Sequence, residues 1–389
     1  MDFSLSDEQL MLRDLAASVS RQFDESYWQA VDEQYRFPRE FWETLAKHGL
    51  LGVAIPEDYG GAGRGLLDLV VVAEALAENG AGMDGGGLFV SGPVFGGCLL
   101  VRHGSEEQKR RYLPGIAQGE LWAGAFTEPD AGSNVSAIAT TAVLRGGRYV
   151  IKGRKVYISQ MANAQHIVIL ARTSPLNLKQ RTQGLTLFIA DLPDTRVVAK
   201  PFKKMGCRFM DTNAVFIDDL EVSEENVVGK VDEAWGPLFD VLNPQRIILA
   251  AVAVGTGMLT LRKAVEYAKE RKVWGDRPIG AYQGIQFPLA EAYMQLAAAR
   301  LKVYYAAWLY DRRSPECGVA AAIAKYVAAH AALQAADRAI QTLGGAGYIS
   351  ESGVERHWRN LRLNRIAPVT DEMTLNFVAQ HALQLPRSY

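Results

Sequence analysis

The alternation of helical and β-type segments along the chain is the feature that most constrains its fold. Helical signals dominate residues 1–120, short β-prone runs separated by turns fill residues 121–229, and long helical segments return over residues 230–389. This order is typical of an α+β protein. We therefore predict an N-terminal helical domain, a central β-sandwich or barrel domain and a C-terminal four-helix bundle, with those bounds.

The helical signals of the first domain are local. Ser6 and Gln9 have the spacing of a capping box, in which each side chain satisfies the other residue's backbone amide. A second helix is predicted over residues 66–79, ended by Gly80 just beyond the last turn. The glycine-rich segment 56–63 lacks the Lys-Ser/Thr pair of a phosphate-binding P-loop, so we interpret it as a tight turn.

Turn residues and alanine content predict the elements of the other two domains. The β-prone runs 141–144 and 148–151 meet at Gly146-Gly147, a dipeptide typical of a two-residue hairpin turn. Beyond residue 229 the chain becomes rich in alanine over the predicted helices 246–271, 285–311 and 319–343. Long helices with small residues on their faces pack closely as a bundle.

Charge and cysteine content argue against several classes of protein. The 42 Lys and Arg residues against 43 Asp and Glu leave a net charge of −1, which argues against a protein that coats nucleic acid. Three widely separated cysteines exclude a disulfide scaffold and suit the cytosol. The apolar stretch 247–261 is interpreted as too short to cross a bilayer, and no signal-peptide pattern opens the chain. We expect a cytoplasmic protein without nucleic-acid or membrane partners.

The short motifs of several common catalytic sites are missing from the sequence. It has no GxSxG elbow, no HExxH metal motif, no P-loop and no GxGxxG between a strand and a helix. The six histidines show no ligand spacing, so no metal site is predicted. The GGAGY run that starts at Gly344 follows a helix, which argues against a dinucleotide fingerprint.

One stretch of the middle domain is far more specific. Residues 125–134, AFTEPDAGSN, closely resemble the TEPxAGSD signature of the acyl-CoA dehydrogenase family. Four further segments resemble the family pattern in order and spacing: GRKVYISQ at 153–160, KMGCRFMDT at 204–212, RKVWGDRPIGAYQ at 271–283 and QTLGGAGY at 341–348. The resemblance extends over essentially the whole chain and agrees with the predicted order of domains.

The resemblance implies FAD as the cofactor. An isoalloxazine ring needs hydrogen-bond donors along its edge and a flat partner against its face. Donors would come from the amides and hydroxyls of Phe126, Thr127, Gly132 and Ser133. Tyr157 and Ser159 stand where the family has a tryptophan and a threonine beside the flavin, which keeps an aromatic face and a hydroxyl.

A second group of residues would reach the FAD of a neighbouring subunit. By resemblance, this group consists of Arg271, Trp274, Gln283, Gln341, Gly344 and Gly345. Thr370 and Glu372 match the last FAD-contacting loop of the family. The arrangement implies a homo-oligomer, by resemblance a tetramer. The alternative interpretation treats Tyr157 and Trp274 as core aromatics and the glycines as ordinary turns.

The chain departs from the family pattern at the residues that carry the chemistry. Family members remove an α-proton with a glutamate while the flavin accepts a hydride. Pro368 occupies the usual position of that glutamate, and Gln245, which precedes Arg246, occupies the position used by branched-chain members. Proline also lacks the backbone N–H that would bind the thioester carbonyl. Losing a general base costs about 10²–10⁴ in rate, and losing one such donor costs about 10²–10³.

Asp84 is the other carboxylate considered as a base. It lies in the glycine-rich segment 80–87, interpreted as a flexible loop near the acyl pocket, where desolvation could turn a carboxylate into a base. The competing interpretation is an ordinary turn aspartate. Glu128 in the flavin motif and Glu372 in the last loop are both expected to be structural.

Three functions are compatible with the sequence. The first is an FAD enzyme that oxidises an acyl-CoA thioester by α,β-desaturation, or a close variant, and passes electrons to an electron-transfer flavoprotein. The second is a relative with changed chemistry, a desulfinase or a flavin monooxygenase; a desulfinase needs no α-proton base and would tolerate Gln245 and Pro368. The third is a catalytically silent protein that binds FAD or acyl-CoA.

Overall fold

The first of the helices that precede the sheet begins with the cap that the sequence indicates. The computed structural model describes residues 4–387. The N-terminal helices are α1 Asp7–Ser20, α2 Glu25–Glu33, α3 Arg39–Lys47, α4 Leu66–Leu76, α5 Gly82–Gly86, α6 Leu99–His103 and α7 Glu106–Ala117. The Ser6 hydroxyl accepts the Gln9 amide (3.3 Å) and the Gln9 side chain accepts the Ser6 amide (3.1 Å), so the predicted capping box is confirmed.

The predicted helix 66–79 begins where expected and changes geometry before its end. The regular helix α4 stops at Leu76 and continues as a wider π-type turn over Ala77–Ala81, in which Gly80 has a φ of 132°. The first turn of α4 is capped from a distant part of the chain, because Asp311 accepts the amides of Leu66 (2.7 Å) and Leu67 (3.0 Å). The two helical parts of the chain are therefore joined by hydrogen bonds.

A sheet forms the middle domain. Its strands are β1 Trp122–Ala125, β2 Thr141–Arg145, β3 Arg148–Ser159, β4 His166–Arg172, β5 Leu185–Asp191, β6 Val197–Pro201, β7 Thr212–Ser223 and β8 Val227–Val228. Hydrogen-bonded neighbours follow the order β6-β7-β3-β2-β4-β5-β8, and β1 pairs in parallel with β4. The predicted hairpin between β2 and β3 is confirmed, since Arg145 faces Arg148 and Gly146 and Gly147 both have positive φ, 56° and 78°.

Alternation along β4 places the sheet between two cores. Ile167 and Ile169 pack inside the β domain with Phe188, whereas Val168 and Leu170 belong to the large core shared with the helices. Because successive side chains of a strand point to opposite faces, both faces of β4 are buried and the strand is a continuous apolar run. The helices therefore cover one face of the sheet.

Long helices pack closely in the C-terminal domain, and the predicted α+β class is confirmed. The helices are α8 Trp235–Glu270, α9 Gln283–Asp311, α10 Cys317–Leu343, α11 Gly345–Tyr348, α12 Val354–Leu361 and α13 Asp371–His381. A Cβ added to Gly257 of α8 would lie only 3.0 Å from the Ala332 Cα of α10. The predicted start of α8 at residue 246 is wrong, because the helix runs through Pro244 and begins at Trp235.

Three helical stretches among residues 4–387 are long and apolar enough to cross a membrane by length and composition. They are Leu66–His103, Trp235–Glu270 and Cys317–Leu343. The expectation that residues 247–261 are too short is wrong, because this stretch is part of the 36-residue α8. The apolar windows of these stretches are buried inside the protein to 94%, 83% and 61%, so their composition fits helices of a core.

Candidate active site

A buried ion pair fixes the loop that follows β1. Lys155 of β3 and Glu128 of the loop lie 2.8 Å apart, with side chains 0% and 7% exposed. Glu128 also accepts the amides of Ala139 (2.6 Å) and Thr140 (3.0 Å). Burial by itself would raise the pKa of Glu128, but the Lys155 ammonium and these donors outweigh burial and lower it. Glu128 therefore has a structural role, as the sequence indicates.

The same loop carries the predicted flavin donors. Phe126 is buried, so only its backbone can face a ligand. Thr127 is half-buried, and its carbonyl accepts the Val156 amide of β3 (2.9 Å). Gly132 and Ser133 are exposed. The loop therefore presents polar groups to the surface directly beside β3.

Tyr157 occupies a β-bulge on β3. The register between β3 and β7 shifts between Val156 and Ile158, and Tyr157 has a φ of 61°, a left-handed conformation that a bulky residue rarely adopts. Tyr157 is 69% exposed, and its ring centre lies 5.9 Å from that of Phe202. Backbone outliers of this kind cluster at ligand sites. The interpretation of Tyr157 as a core aromatic is therefore wrong.

Ser159 ends β3 next to a segment that is held together by a half-buried lysine, Lys204. Ser159 Oγ lies 3.2 Å from Thr212 Oγ1, which accepts a hydrogen bond from Lys204 Nζ (3.0 Å). Lys204 Nζ also donates to the carbonyls of Cys207 and Met210, at 2.7 Å each. Lys204 is not among the predicted site residues, although it begins one of the family-like segments. Its contacts fix the position of the Ser159 hydroxyl.

Arg271, Trp274 and Gln283 lie at the connection between α8 and α9. All three are exposed, and Trp274 is 95% exposed with a φ of 55°. The interpretation of Trp274 as a core aromatic is therefore also wrong. At 1.5 Å per residue, Arg271 lies about 38 Å along α8 from Arg246. Arg246 and Arg271 therefore lie too far apart to contact each other within one protomer.

Gln341, Gly344 and Gly345 lie at the end of α10. All three are exposed, and a Cβ added to either glycine would meet nothing within 4 Å. The prediction that the backbone of both glycines binds the cofactor stays a prediction, and it would have to involve groups other than the Gly344 amide. The Gly344 amide donates to the Ile340 carbonyl (3.0 Å), because it closes the last turn of α10, so that amide is not available to a ligand.

The segment around Pro368 is held in place by a hydrogen bond from a lysine of α10. Pro368 is half-buried, and Lys325 Nζ donates to the carbonyl of the next residue, Val369 (2.7 Å). Thr370 caps α13, since its hydroxyl accepts the amide three residues later (3.2 Å). The Thr370 hydroxyl proton is still able to donate to a ligand, and Glu372 is exposed in the first turn of α13. Both predicted residues therefore lie together at the N-terminal end of α13.

Asp371 is the charged centre of this loop, and sequence reasoning missed it. It accepts Arg365 Nε (2.7 Å), and it lies 2.9 Å from His330 Nε2 and 3.6 Å from Lys325 Nζ. Burial would raise the pKa of Asp371, but the bonds from Arg365 and His330 outweigh burial and lower it. Its partners come from α10 and from the turn after α12, so no local motif indicated the cluster.

Arg246 is a buried cation without a carboxylate partner within the described residues 4–387. It is 8% exposed, and its Nη1 donates to Asn243 Oδ1 (2.9 Å). Its guanidinium carbon lies 5.8 Å from the centre of the Phe239 ring. Burial lowers the pKa of Arg246 to about 10. Neither the adjacent Gln245 nor Pro368 can take a proton at neutral pH.

Asp84 does not lie on a flexible loop. It belongs to α5 and is fully buried, and its two carboxylate oxygens accept Arg356 Nε (2.9 Å) and Asn360 Nδ2 (2.8 Å). Burial raises its pKa to about 6. The glycines around it allow close packing, since a Cβ on Gly85 would lie 2.7 Å from the Phe41 ring. Both interpretations, flexible loop and turn aspartate, are wrong; the geometry makes Asp84 an anchor for α12 and does not support it as a base.

A cleft of about 400 Å³ opens beside Arg246. Its walls include the two contacts of the guanidinium, Phe239 and Asn243, and the neighbouring Asp240. Residues from two further parts of the chain complete the walls: Arg102, His103, Tyr310, Arg313, Ser314, Pro315, Cys317 and Gly318. Arg102 Nη1 and His103 Nε2 bond to the two oxygens of Asp240, at 2.6 and 2.7 Å. No sequence pattern indicated this cleft, because its residues share no motif.

The arrangement on β3 fits a flavin. The bond between Val156 and Thr127 places the polar loop next to the open Tyr157 ring, and the Ser159 hydroxyl follows two residues later. A flat exposed ring with donors along one side is what an isoalloxazine requires. Within residues 4–387, no group of three or more His, Cys, Asp and Glu side chains could hold a metal ion.

Family models match three consecutive parts of the chain. The N-terminal domain of acyl-CoA dehydrogenase matches residues 6–120, its middle domain matches residues 123–220, and its C-terminal domain matches residues 235–383. The chain belongs to the acyl-CoA dehydrogenase family. The predictions of an FAD-dependent oxidoreductase and of FAD as its cofactor are confirmed at the level of the family.

Known relatives resemble the chain over its full length. It is 40% identical to the acyl-CoA dehydrogenase FadE12 of Mycobacterium tuberculosis over 390 residues, covering 100% of this chain and 99% of the relative. It is 34% identical to the caffeyl-CoA reductase-Etf complex subunit CarC of Acetobacterium woodii over 373 residues, covering 95% and 96%. The solved structure of butyryl-CoA dehydrogenase from Megasphaera elsdenii has a TM-score of 0.93 at 30% identity and covers 99% of this chain and 100% of that chain.

Proposed function

We propose that this protein oxidises an acyl-CoA thioester with FAD, by α,β-dehydrogenation or a close variant, and passes the electrons to an electron-transfer flavoprotein. The observation that carries the proposal is the open Tyr157 ring at the β3 bulge, beside the Thr127 loop and the Ser159 hydroxyl. The similarity to butyryl-CoA dehydrogenase and to a subunit of an Etf complex supports the same assignment.

The residues of the β domain would bind and orient the cofactor. FAD, when bound, supplies the acceptor for a hydride from the substrate. Tyr157 would cover one face of the ring, and Thr127 and Ser159 would hold its edge. The Lys155–Glu128 pair keeps the loop in place before the cofactor arrives, so these donors need no reorganisation on binding.

Removal of the α-proton is the step of the proposed reaction for which the chain provides the fewest suitable side chains. Gln245 and Pro368 are neutral, and both carboxylate oxygens of Asp84 are already hydrogen-bonded. Without a general base we expect α-proton removal to be slower by about 10²–10⁴ than in a relative that has one. A substrate whose α-carbon is acidified by a neighbouring group would reduce this requirement.

One observation favours a second candidate, an altered reaction such as desulfination. Arg246 is buried without a carboxylate partner among residues 4–387, and the neutral Gln245 lies beside it. A reaction in which an anionic group leaves the acyl chain needs no base for an α-proton, whereas it needs a cation that holds the anion. Arg246 is a candidate for that cation.

We also propose that the active form is a homo-oligomer, and by resemblance a tetramer. Phe287, Met294, Leu301 and Trp308 are exposed and spaced seven residues apart, so they form one apolar stripe along α9. An apolar stripe of this length is typical of a helix that packs against a partner. In the proposed assembly, Arg271 and Gln341 of one copy reach the FAD bound to another.

The first experiment is a visible absorption spectrum of the purified protein after reconstitution with FAD, followed by anaerobic mixing with a panel of acyl-CoA thioesters. Bleaching of the flavin by a thioester supports dehydrogenation. Release of sulfite from a sulfinic thioester without net bleaching supports desulfination, and oxygen consumption that needs an external reductant supports a monooxygenase. A protein that binds FAD and shows none of these responses would be catalytically silent. Failure to take up FAD would contradict the proposal as a whole.

A further inference from the structure

Two hydroxyl groups form a pair at the end of β3, beside the bulge that carries Tyr157. Ser159 of β3 and Thr212 of β7 are paired in the sheet, and their side-chain oxygens lie 3.2 Å apart. This distance is compatible with a hydrogen bond in either direction. The direction decides what Ser159 offers to a ligand, because a hydroxyl group has a single proton to donate.

Lys204 determines the role of the Thr212 oxygen in this pair. Its Nζ donates to the carbonyls of Cys207 and Met210, at 2.7 Å each, and to Thr212 Oγ1 at 3.0 Å. A lysine ammonium has three protons and accepts no hydrogen bond. All three protons are therefore in use, and Thr212 Oγ1 is the acceptor in its bond with Lys204.

The Thr212 proton then has one protein acceptor. Among residues 4–387, the Thr212 hydroxyl has no hydrogen-bond partner besides Lys204 and Ser159. If Ser159 donated to Thr212, the half-buried Thr212 hydroxyl would accept two bonds and its own proton would have no protein partner, which costs free energy. Thr212 therefore donates to Ser159, and the proton of Ser159 stays available to a ligand.

The segment that holds Lys204 is itself anchored on both sides. The amide of Cys207, whose carbonyl accepts from Lys204, donates to Asn360 Oδ1 of α12 (2.6 Å). The Phe202 amide donates to the carbonyl of Thr212 (2.8 Å). The direction of the hydroxyl pair is thus set by the protein alone, and no reorganisation is needed when a ligand arrives.

We propose that Lys204 is a positioning residue for the flavin: through Thr212, it directs the Ser159 hydroxyl to donate to an acceptor atom on the edge of the ring. The inference rests on the proposed function, because it assumes FAD beside Tyr157 and Ser159. The Lys204 ammonium is two hydrogen bonds away from Ser159. A nearby cation favours the more negative, reduced form of a flavin, so Lys204 should also raise the reduction potential of bound FAD.

The first test is a double-mutant cycle on FAD binding, measured by titrating the apoprotein with FAD. Ser159→Ala should weaken binding roughly three- to tenfold, the contribution of one hydrogen bond. Thr212→Val keeps the shape and removes the ordering hydroxyl, so it should weaken binding at least about threefold, whereas Thr212→Ser should stay within about twofold of the wild type. The double variant of Ser159→Ala and Thr212→Val should bind like Ser159→Ala alone, because Thr212 acts through Ser159.

The second test uses properties of the bound flavin that a general loss of stability would not change. Ser159→Ala and Thr212→Val should shift the visible absorption maximum of bound FAD in the same direction, and Thr212→Ser should leave it in place. Lys204→Met should lower the reduction potential of bound FAD. Lys203→Met is the matched control, since Lys203 is the exposed neighbour on the same segment and its charge is screened by solvent.

The outcomes separate this inference from the proposed function. Wild-type affinity and spectrum in Thr212→Val, or losses that multiply in the double variant, would overturn the action of Thr212 through Ser159. Equal potentials of Lys204→Met and Lys203→Met would overturn the role of Lys204. Both results leave FAD binding and the proposed reaction intact. Should Lys204→Met not fold, the Thr212 variants decide the question. If the wild type takes up no FAD, the inference and the proposed function fail together.

Discussion

Replacing Lys155 by methionine tests how the loop after β1 is held. The variant keeps all but the last atom of the unbranched side chain and removes the ammonium that lies 2.8 Å from Glu128 Oε1. Breaking a buried ion pair by removing one partner costs about 3–5 kcal/mol. Glu128 keeps its bonds from the amides of Ala139 and Thr140, so we expect the lower end, about 3 kcal/mol, or roughly a hundredfold in the ratio of folded to unfolded protein.

The chain offers a close control on the same strand. Lys152 of β3 lies 2.8 Å from Asp218, the same distance as in the buried pair, but its side chain is 63% exposed. Exposed pairs of this kind contribute about 0–1 kcal/mol. Urea unfolding followed by circular dichroism should therefore separate Lys155→Met from Lys152→Met by about 2 kcal/mol or more. FAD affinity should fall in Lys155→Met and stay unchanged in Lys152→Met.

The pH dependence gives a second measure of the same pair. Because the pKa of Glu128 is lowered in the folded protein, its stabilising contribution is present above the ordinary carboxyl pKa of 4.5 and is lost as the pH falls below it. The difference between wild type and Lys155→Met should therefore shrink in acid. Equal unfolding free energies for the two lysine variants, within about 0.5 kcal/mol, would refute the argument that the buried pair holds the loop.

Substitutions at three further positions test other parts of the molecule. Tyr157→Ala should weaken FAD binding by about tenfold, measured by flavin fluorescence, because the exposed ring contributes to binding of the ligand and not to the core. Tyr157→Phe should keep the wild-type affinity, since it keeps the ring. Equal FAD affinities of Tyr157→Ala and the wild type would contradict the role of the ring. Leu301→Lys places a charge in the α9 stripe and should reduce the mass measured by light scattering, and an unchanged mass would place the contact elsewhere. Burial raises the pKa of Glu74 from its ordinary value of 4.5 to about 7. The stability that this carboxyl group contributes to the folded protein is therefore fully present below pH 4.5 and is lost as the pH rises towards 7. Glu74→Gln should flatten this part of the unfolding profile by up to about 3 kcal/mol, and a profile parallel to the wild type would exclude Glu74 as its source.

The order of elements and the hairpin could be predicted because their signals are local. A capping box and a Gly-Gly turn each lie within a few residues, and the helix and strand periods persist over whole elements. Alternation also explains why β4 looks uniformly apolar, since each face meets a different core.

The charge partners could not be predicted, because they are distant in sequence. Glu128 was expected to be structural, yet its partner Lys155 lies 27 residues away. The cluster at Asp371 and the isolation of Arg246 likewise depend on which helices pack together. Asp84 shows a different limit: glycines that permit close packing and glycines that permit flexibility look alike in a sequence, and only the contact between Gly85 and Phe41 separates them.

The length of α8 has a consequence for how defects combine. This single helix carries Arg246 near its beginning and is followed directly by Arg271 at its end, so in the proposed assembly one copy contributes residues to two separate reaction centres. A variant with a defect only at Arg246 and another variant with a defect only at Arg271 would each be inactive alone. When the two variants are produced in the same cell, mixed oligomers can form in which one reaction centre receives both intact residues. These mixed oligomers would recover catalytic turnover that neither variant shows alone.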